Sequence, residues 1–175
     1  MQNIQAAGIT VSHFDTHKHT HIFPAVRRPL LRAAAKRGVR ALRNPFPPQG
    51  LVPLPLLLSR PLLWKRYAQL KYLRRFSEQF REAVQDAGLF TTDGTLGMVA
   101  TGYMDPNLFQ SLVESLPEGT WELVCHPGYN DAQLQATRTR LKASRVRELE
   151  VLTSAEAKTA LSRLGVELIS FRDLP

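Results

Sequence analysis

Four of the five histidines fall in one run, V-S-H-F-D-T-H-K-H-T-H-I-F-P at residues 11–24, with His13, Asp15, His17, His19 and His21 at every second position. On an extended strand, residues two apart project to the same face, so this spacing predicts a line of imidazoles and one carboxylate along a single side. Those are the ligand types that divalent metals of intermediate hardness take. The fifth histidine, His126, stands in C-H-P-G-Y, just past an apolar run. The run reads as a metal or catalytic site. Its alternatives are a solvated polar face or a tag-like tract, but Asp15, Lys18 and Thr20 interrupt the run, which argues against a tag.

The elements that would position these groups alternate in type. Gly8 to Asp15 alternates apolar and polar around Ile9, Val11 and Phe14 and predicts a strand ending at the histidines. Phe23 to Arg37 predicts a helix stopped by Gly38, and Val39 to Arg43 a second strand ending at Asn44-Pro45. Strand, helix, strand is the βα repeat of a parallel sheet, whose ligands gather at the strands' C-terminal ends. Phe46 to Pro61, rich in proline and leucine, reads as a long loop. Leu62 to Ala87 reads as one amphipathic helix on Leu63, Tyr67, Leu70, Leu73, Phe76, Phe80 and Val84, stopped by Gly88.

Further on, Thr91 to Gly97 reads as loop, Met98 to Thr101 as a short strand, and Asp105 to Leu116 as a helix opened by the Asp105-Pro106 cap. Thr120 to Cys125 is a clear strand, with His126 just beyond its end. Gly128 to Thr137 reads as loop, Arg138 to Leu152 as a charged helix, Ala155 to Leu164 as a helix capped by Thr153-Ser154 and ended by Gly165, and Val166 to Phe171 as a last strand. About five strands and five helices in alternation make this α/β, with two strands delivering histidine to one rim of a sheet or barrel.

Composition bounds the partners. The 175 residues fit one domain, 1–175, and the single cysteine, Cys125, excludes an internal disulfide framework and fits a reducing compartment. No secretory signal is visible, and Leu51 to Leu58 is too short to span a bilayer, so the chain reads as cytoplasmic. Net charge is +8, and residues 25–75 hold thirteen Lys and Arg with no Asp or Glu. That stretch is either the solvated face of helices or a surface for an anionic partner, such as a membrane or nucleic acid. No RNP, zinc-finger or helix-turn-helix pattern supports base reading, so nucleic acid is disfavoured.

Read together, T-V-S-H-F-D-T-H-K-H-T-H-I-F-P, the R-N-P after the second strand, E-L-V-C-H-P-G-Y and R-E-L-E-V-L-T-S resemble the YdjC-like, or ChbG/HpnK, carbohydrate deacetylases over nearly the whole chain. The resemblance implies part of a deformed (β/α) barrel and a divalent metal, magnesium first and zinc as alternative. It also implies hydrolysis of an N-acetyl group from an amino sugar, free or linked to a glycolipid. The D-x-H step places the metal ligand at His17, with His13, Asp15, His19 and His21 as substrate-binding or supporting groups. Arg43 and His126 fall near the implied substrate pocket, with His126 as the catalytic group that protonates the leaving amine or stabilises the oxyanion.

The family's opening N-A-D-D-F-G-like strand and its G-x-H segment are not in this sequence, so the chain is expected to be an N-terminally truncated domain whose own activity is in doubt. Exposed strand edges would then favour a homo-oligomer. The competing expectation is a non-enzymatic basic module that binds an anionic membrane surface or nucleic acid through residues 25–75.

Overall fold

The computed structural model describes residues 2–50 and 52–174. Helix α1 (Gln2–Ala6) leads into strand β1 (His13–Phe14), a six-residue 3-10 segment (His17–Ile22) and helix α2 (Pro24–Lys36). Strand β2 (Ala41–Leu42) follows, then α3 (Leu54–Leu58), α4 (Pro61–Leu73), a 3-10 turn (Arg74–Phe76) and α5 (Ser77–Asp86). Beyond these come β3 (Gly94–Leu96), α6 (Pro106–Glu114), β4 (Trp121–Leu123), α7 (Ala132–Ala136), α8 (Ala143–Thr153) and α9 (Ala155–Arg163).

The strands are parallel and run in sequence order. β1 pairs with β2 in the register His13 to Ala41, and β3 pairs with β4 in the register Thr95 to Glu122. The two pairs are joined by a parallel bridge from Ala41 to Phe90 and by the Thr95 amide donating to the Phe46 carbonyl at 2.8 Å. Helical crossovers between neighbouring parallel strands are what the βα reading anticipates. The strands do not close into a barrel among the described residues.

Side chains stitch the junction that such short strands leave weak. Buried Asn44 donates from Nδ2 to the carbonyls of Thr92 and Asp93 and accepts the Phe46 amide on Oδ1, while the Thr95 hydroxyl donates to the Asn44 carbonyl at 2.5 Å. This places β3 in residues the sequence presents as loop. Gly94 lets the backbones meet: a Cβ there would lie 2.2 Å from the Phe46 oxygen.

Two apolar clusters flank the junction. One gathers Phe14, Leu31, Val39, Leu42, Phe46, Phe80 and Val84; the other gathers Leu63, Leu96, Val99, Met104, Leu108, Leu112 and Val151. The single helix expected over residues 62–87 is broken because it serves both. Tyr67 and Leu70 face the second cluster and Leu73, Phe80 and Val84 the first, and the Arg74–Phe76 turn changes face between them.

Several other expectations need correction. Residues 98–101 form a turn that buries Val99 and Ala100, not a strand, and helix α8 starts only at Ala143. The expected loops hold the short helices α3 and α7. Residues 166–171 pair with no strand among the described residues; Phe171 instead stacks on His13 with ring centroids 3.9 Å apart. The caps are as expected: Asp105 accepts the Leu108 amide at 2.9 Å and Ser154 the Ala157 amide at 3.1 Å.

Candidate active site

The histidine run is not a strand face. Only His13 lies on β1, and from His17 the chain turns, with Lys18 and His19 in the left-handed region at φ 54 and 55. A parallel β-α-β connection has to turn the chain between β1 and α2, and this segment makes that turn. The period-two alignment therefore does not exist in space. Two successive non-glycine residues held at positive φ mark a strained segment of the kind that clusters at functional sites.

Each group lands in a different environment. His21 is fully buried, and both ring nitrogens are engaged, with Nδ1 2.7 Å from the Thr16 hydroxyl and Nε2 3.1 Å from the Arg43 carbonyl. A carbonyl only accepts, so Nε2 carries the hydrogen and Nδ1 accepts from Thr16. Burial, opposed by nearby Asp15, lowers its pKa to about 4, so the ring is neutral and Asp15 at 3.4 Å is a dipolar neighbour rather than an ion-pair partner. His21 is a structural histidine that joins the turn to β2.

Asp15, Arg43 and Glu122 form a charged rim drawn from β1, β2 and β4. Arg43 Nη1 donates to Asp15 Oδ2 at 2.5 Å, and its Nε reaches both Glu122 oxygens at 2.9 and 2.8 Å, with Nη2 also on Oε1. Burial and the Glu122 and Asp15 carboxylates act oppositely on Arg43, and the carboxylates win, so its pKa is raised. Asp15 also faces His19 Nδ1 at 3.3 Å. Partial burial disfavours its charge, but hydrogen bonds from His19 and the Thr16 amide, together with Arg43, hold its pKa at about 2.

His13 lies beside the same charges. Its pKa is lowered chiefly by burial, with Glu122 and Asp15 opposing and Arg43 assisting, and its Nδ1 is 3.0 Å from the Ser12 hydroxyl. His13, Asp15, His19 and Arg43 are thus brought together, with Glu122 as an unforeseen member. In sequence Glu122 is one polar residue in an apolar strand, and that was its only signal.

His17 and His126 stand apart from the rim. His17 is exposed and has no hydrogen bond or ion pair among the described residues. His126 follows β4; Glu148 on α8 accepts its backbone amide at 2.5 Å, and its Nδ1 is buried without a partner. Among the described residues, no hydrogen bond, ion pair or ring contact connects His126 to the turn. Glu148, itself 1 % exposed, also accepts the Gly102 amide at 3.2 Å, so it holds two loops from beneath. Burial and the Glu148 and Glu122 carboxylates raise the Cys125 thiol, which disfavours its thiolate.

The described residues do not assemble a metal centre. No group of three His, Cys, Asp or Glu side chains among the described residues could hold an ion. His21 has no lone pair to spare, and the charges of Asp15 and Glu122 are already neutralised by Arg43. Of the four histidines in the run, His17 alone has no ring hydrogen bond among the described residues, and one ligand binds a divalent ion weakly. A cavity of about 760 Å³ opens elsewhere, between α5, residues 46–49 and Trp121, and none of the expected site residues lines it.

Parallel strands joined by helices, with a charged rim drawn from three of them, define an α/β protein of the kind that binds ligands beyond strand C-terminal ends. The chain belongs to the YdjC-like protein family, which it matches over residues 1–163. It is 23% identical over 168 residues to a carbohydrate deacetylase of Clostridium beijerinckii, covering 95% of this chain and 55% of that protein. Its fold is similar to the crystal structure of EF3048 from Enterococcus faecalis V583, described as a candidate cellobiose-phosphate cleavage protein. The TM-score is 0.68 at 22% identity, over 97% of this chain and 55% of the other. The chain thus spans about half the length of the relatives it matches.

Proposed function

We propose that this chain has a deacetylase-like function, the hydrolysis of an N-acetyl group on an amino sugar. The observation that carries the reading is the match to the YdjC-like family, together with similarity to a carbohydrate deacetylase over 95% of the chain. The rim supports it. A sugar presents hydroxyls that need fixed acceptors and donors, and Arg43 holds the Asp15 and Glu122 carboxylates rigidly without exhausting their lone pairs.

Within this reading, Asp15, His13 and His19 orient the sugar, and Arg43 keeps the carboxylates charged and in place. His21 acts only by fixing the turn. His126 is assigned the proton for the departing amine from the family resemblance, and Glu148 fixes its backbone just past β4. The family implies a divalent ion, magnesium or zinc; among the described residues the run offers it His17 and no complete site.

The test is release of free amine from N-acetylated amino sugars, with and without added magnesium or zinc. The reading expects turnover that His126→Ala lowers by on the order of a hundredfold while the fold is kept, as for loss of a general acid. Absence of any amine release by the correctly folded chain, with either metal, would sink it for this chain alone.

A further inference from the structure

Seven of the thirteen cations in the basic stretch fall into two contrasting groups. Arg27 is buried and donates to the Ile22 carbonyl, Arg43 is held in the rim, Arg60 pairs with Asp105 at 2.6 Å, and Arg66 donates to the Thr101 carbonyl and lies over the Tyr103 ring. These cations are buried or partly buried and engaged by the protein itself. Lys65, Lys71 and Arg75 instead stay exposed with no carboxylate partner among the described residues; Arg75 lies over the Tyr72 ring at 5.3 Å. They flank apolar side chains that a soluble surface would seldom leave together.

Leu54, Leu58 and Leu62 are 65%, 59% and 70% exposed, and Trp64, Tyr72 and Phe76 are 49%, 57% and 40% exposed. Trp64, Ala68, Tyr72 and Phe76 recur every fourth residue and share one side of α4 and the turn beyond it, opposite buried Leu63. Trp64 Nε1 donates to the Leu57 carbonyl at 2.6 Å, so the exposed indole carries no unmet donor. The ring can therefore enter an apolar layer without desolvating a polar hydrogen.

We propose that α3, α4 and the Arg74–Phe76 turn form a docking face for an anionic phospholipid surface. The apolar row enters the interface, and Lys65, Lys71 and Arg75 meet the headgroups. The pairing of an aromatic and leucine row with flanking cations, and no acid anywhere in residues 25–75, is the complement of such a layer. Nucleic acid would use the cations but give no reason for three exposed leucines. No helix among the described residues is long and apolar enough to cross a membrane, so the contact is peripheral. It stands independently of the deacetylase reading.

The experiment is co-sedimentation of the full chain with phosphatidylcholine vesicles, with and without phosphatidylserine, at low and high salt. Binding should need phosphatidylserine and fall with salt. Replacing Lys65, Lys71 and Arg75 together by Gln should weaken it on the order of a hundredfold, at roughly a factor of five for each basic residue at the surface. In the unaltered protein, vesicles with brominated acyl chains should quench the part of the tryptophan emission that Trp64→Phe removes. Three results would overturn the proposal. They are no binding to phosphatidylserine vesicles, binding unchanged by the triple substitution, or a Trp64 emission that brominated lipid leaves unquenched while a second copy of the chain or nucleic acid covers it.

Discussion

Arg43 spans 79 residues of sequence to reach Glu122, sharing its one Nε hydrogen between the two carboxylate oxygens at 2.9 and 2.8 Å while Nη1 holds Asp15. One guanidinium thereby ties β2 to β4 and to the end of β1. Its side chain is about a fifth exposed, so the network is partly screened, yet removal would leave two close carboxylates facing each other.

Arg43→Ala should therefore destabilise the fold by about 2 kcal/mol, below the cost of breaking a fully buried pair. Urea unfolding of Arg43→Ala, Glu122→Ala and the double variant checks this. Coupling requires that the double variant lose clearly less than the two single losses summed. Simple additivity would show that the contact carries no energy.

His21 sets a pH dependence. Its pKa is depressed in the folded protein, from 6.5 to about 4, so between those values the unfolded chain binds the extra proton. Stability is then complete above about pH 6.5, falls as pH drops toward 4, and loses on the order of 3 kcal/mol over that window. Urea midpoints across this range should slope upward with pH, and His21→Gln should flatten the slope. An unchanged slope in that variant would place the titration elsewhere.

Glu148 closes two backbone amides, those of Gly102 and His126. Glu148→Ala leaves both without a partner in a partly buried place, at a cost of about 2 kcal/mol. Amide hydrogen exchange locates the effect: these two amides should speed up relative to those of α2. Uniform acceleration across the chain would instead indicate general loosening.

Gly94 and Gly38 should respond differently to alanine. At Gly94 a Cβ would sit 2.2 Å from the Phe46 carbonyl, so the β2–β3 junction must part, costing more than about 3 kcal/mol. At Gly38, with φ +66 and open space around it, only the left-handed backbone is penalised, by about 1 kcal/mol. Thermal unfolding of the two variants compares them directly.

Local signals were legible in this sequence. The Asp105-Pro106 and Ser154 caps, the stops at Gly38, Gly88 and Gly165, and α2 with its flanking strands arise from neighbours a few residues apart. The motifs that resemble the family were equally readable, because they are strings of residue types. Strand β3 was not, since Thr and Gly give no apolar run and the strand is held from outside by the carbonyls of Asn44 and Phe46.

The amino-acid order by itself determined the βα alternation, the basic stretch and the concentration of imidazole between β1 and α2. Tertiary structure decided what each imidazole does. His21 is sealed by Thr16 and the Arg43 carbonyl, His19 is set against Asp15, and His17 is left open, because the chain must turn there to begin α2. Spacing in sequence fixes a common face only while the backbone stays extended. Where it turns, contacts with distant residues such as Arg43 and Glu122 assign the roles.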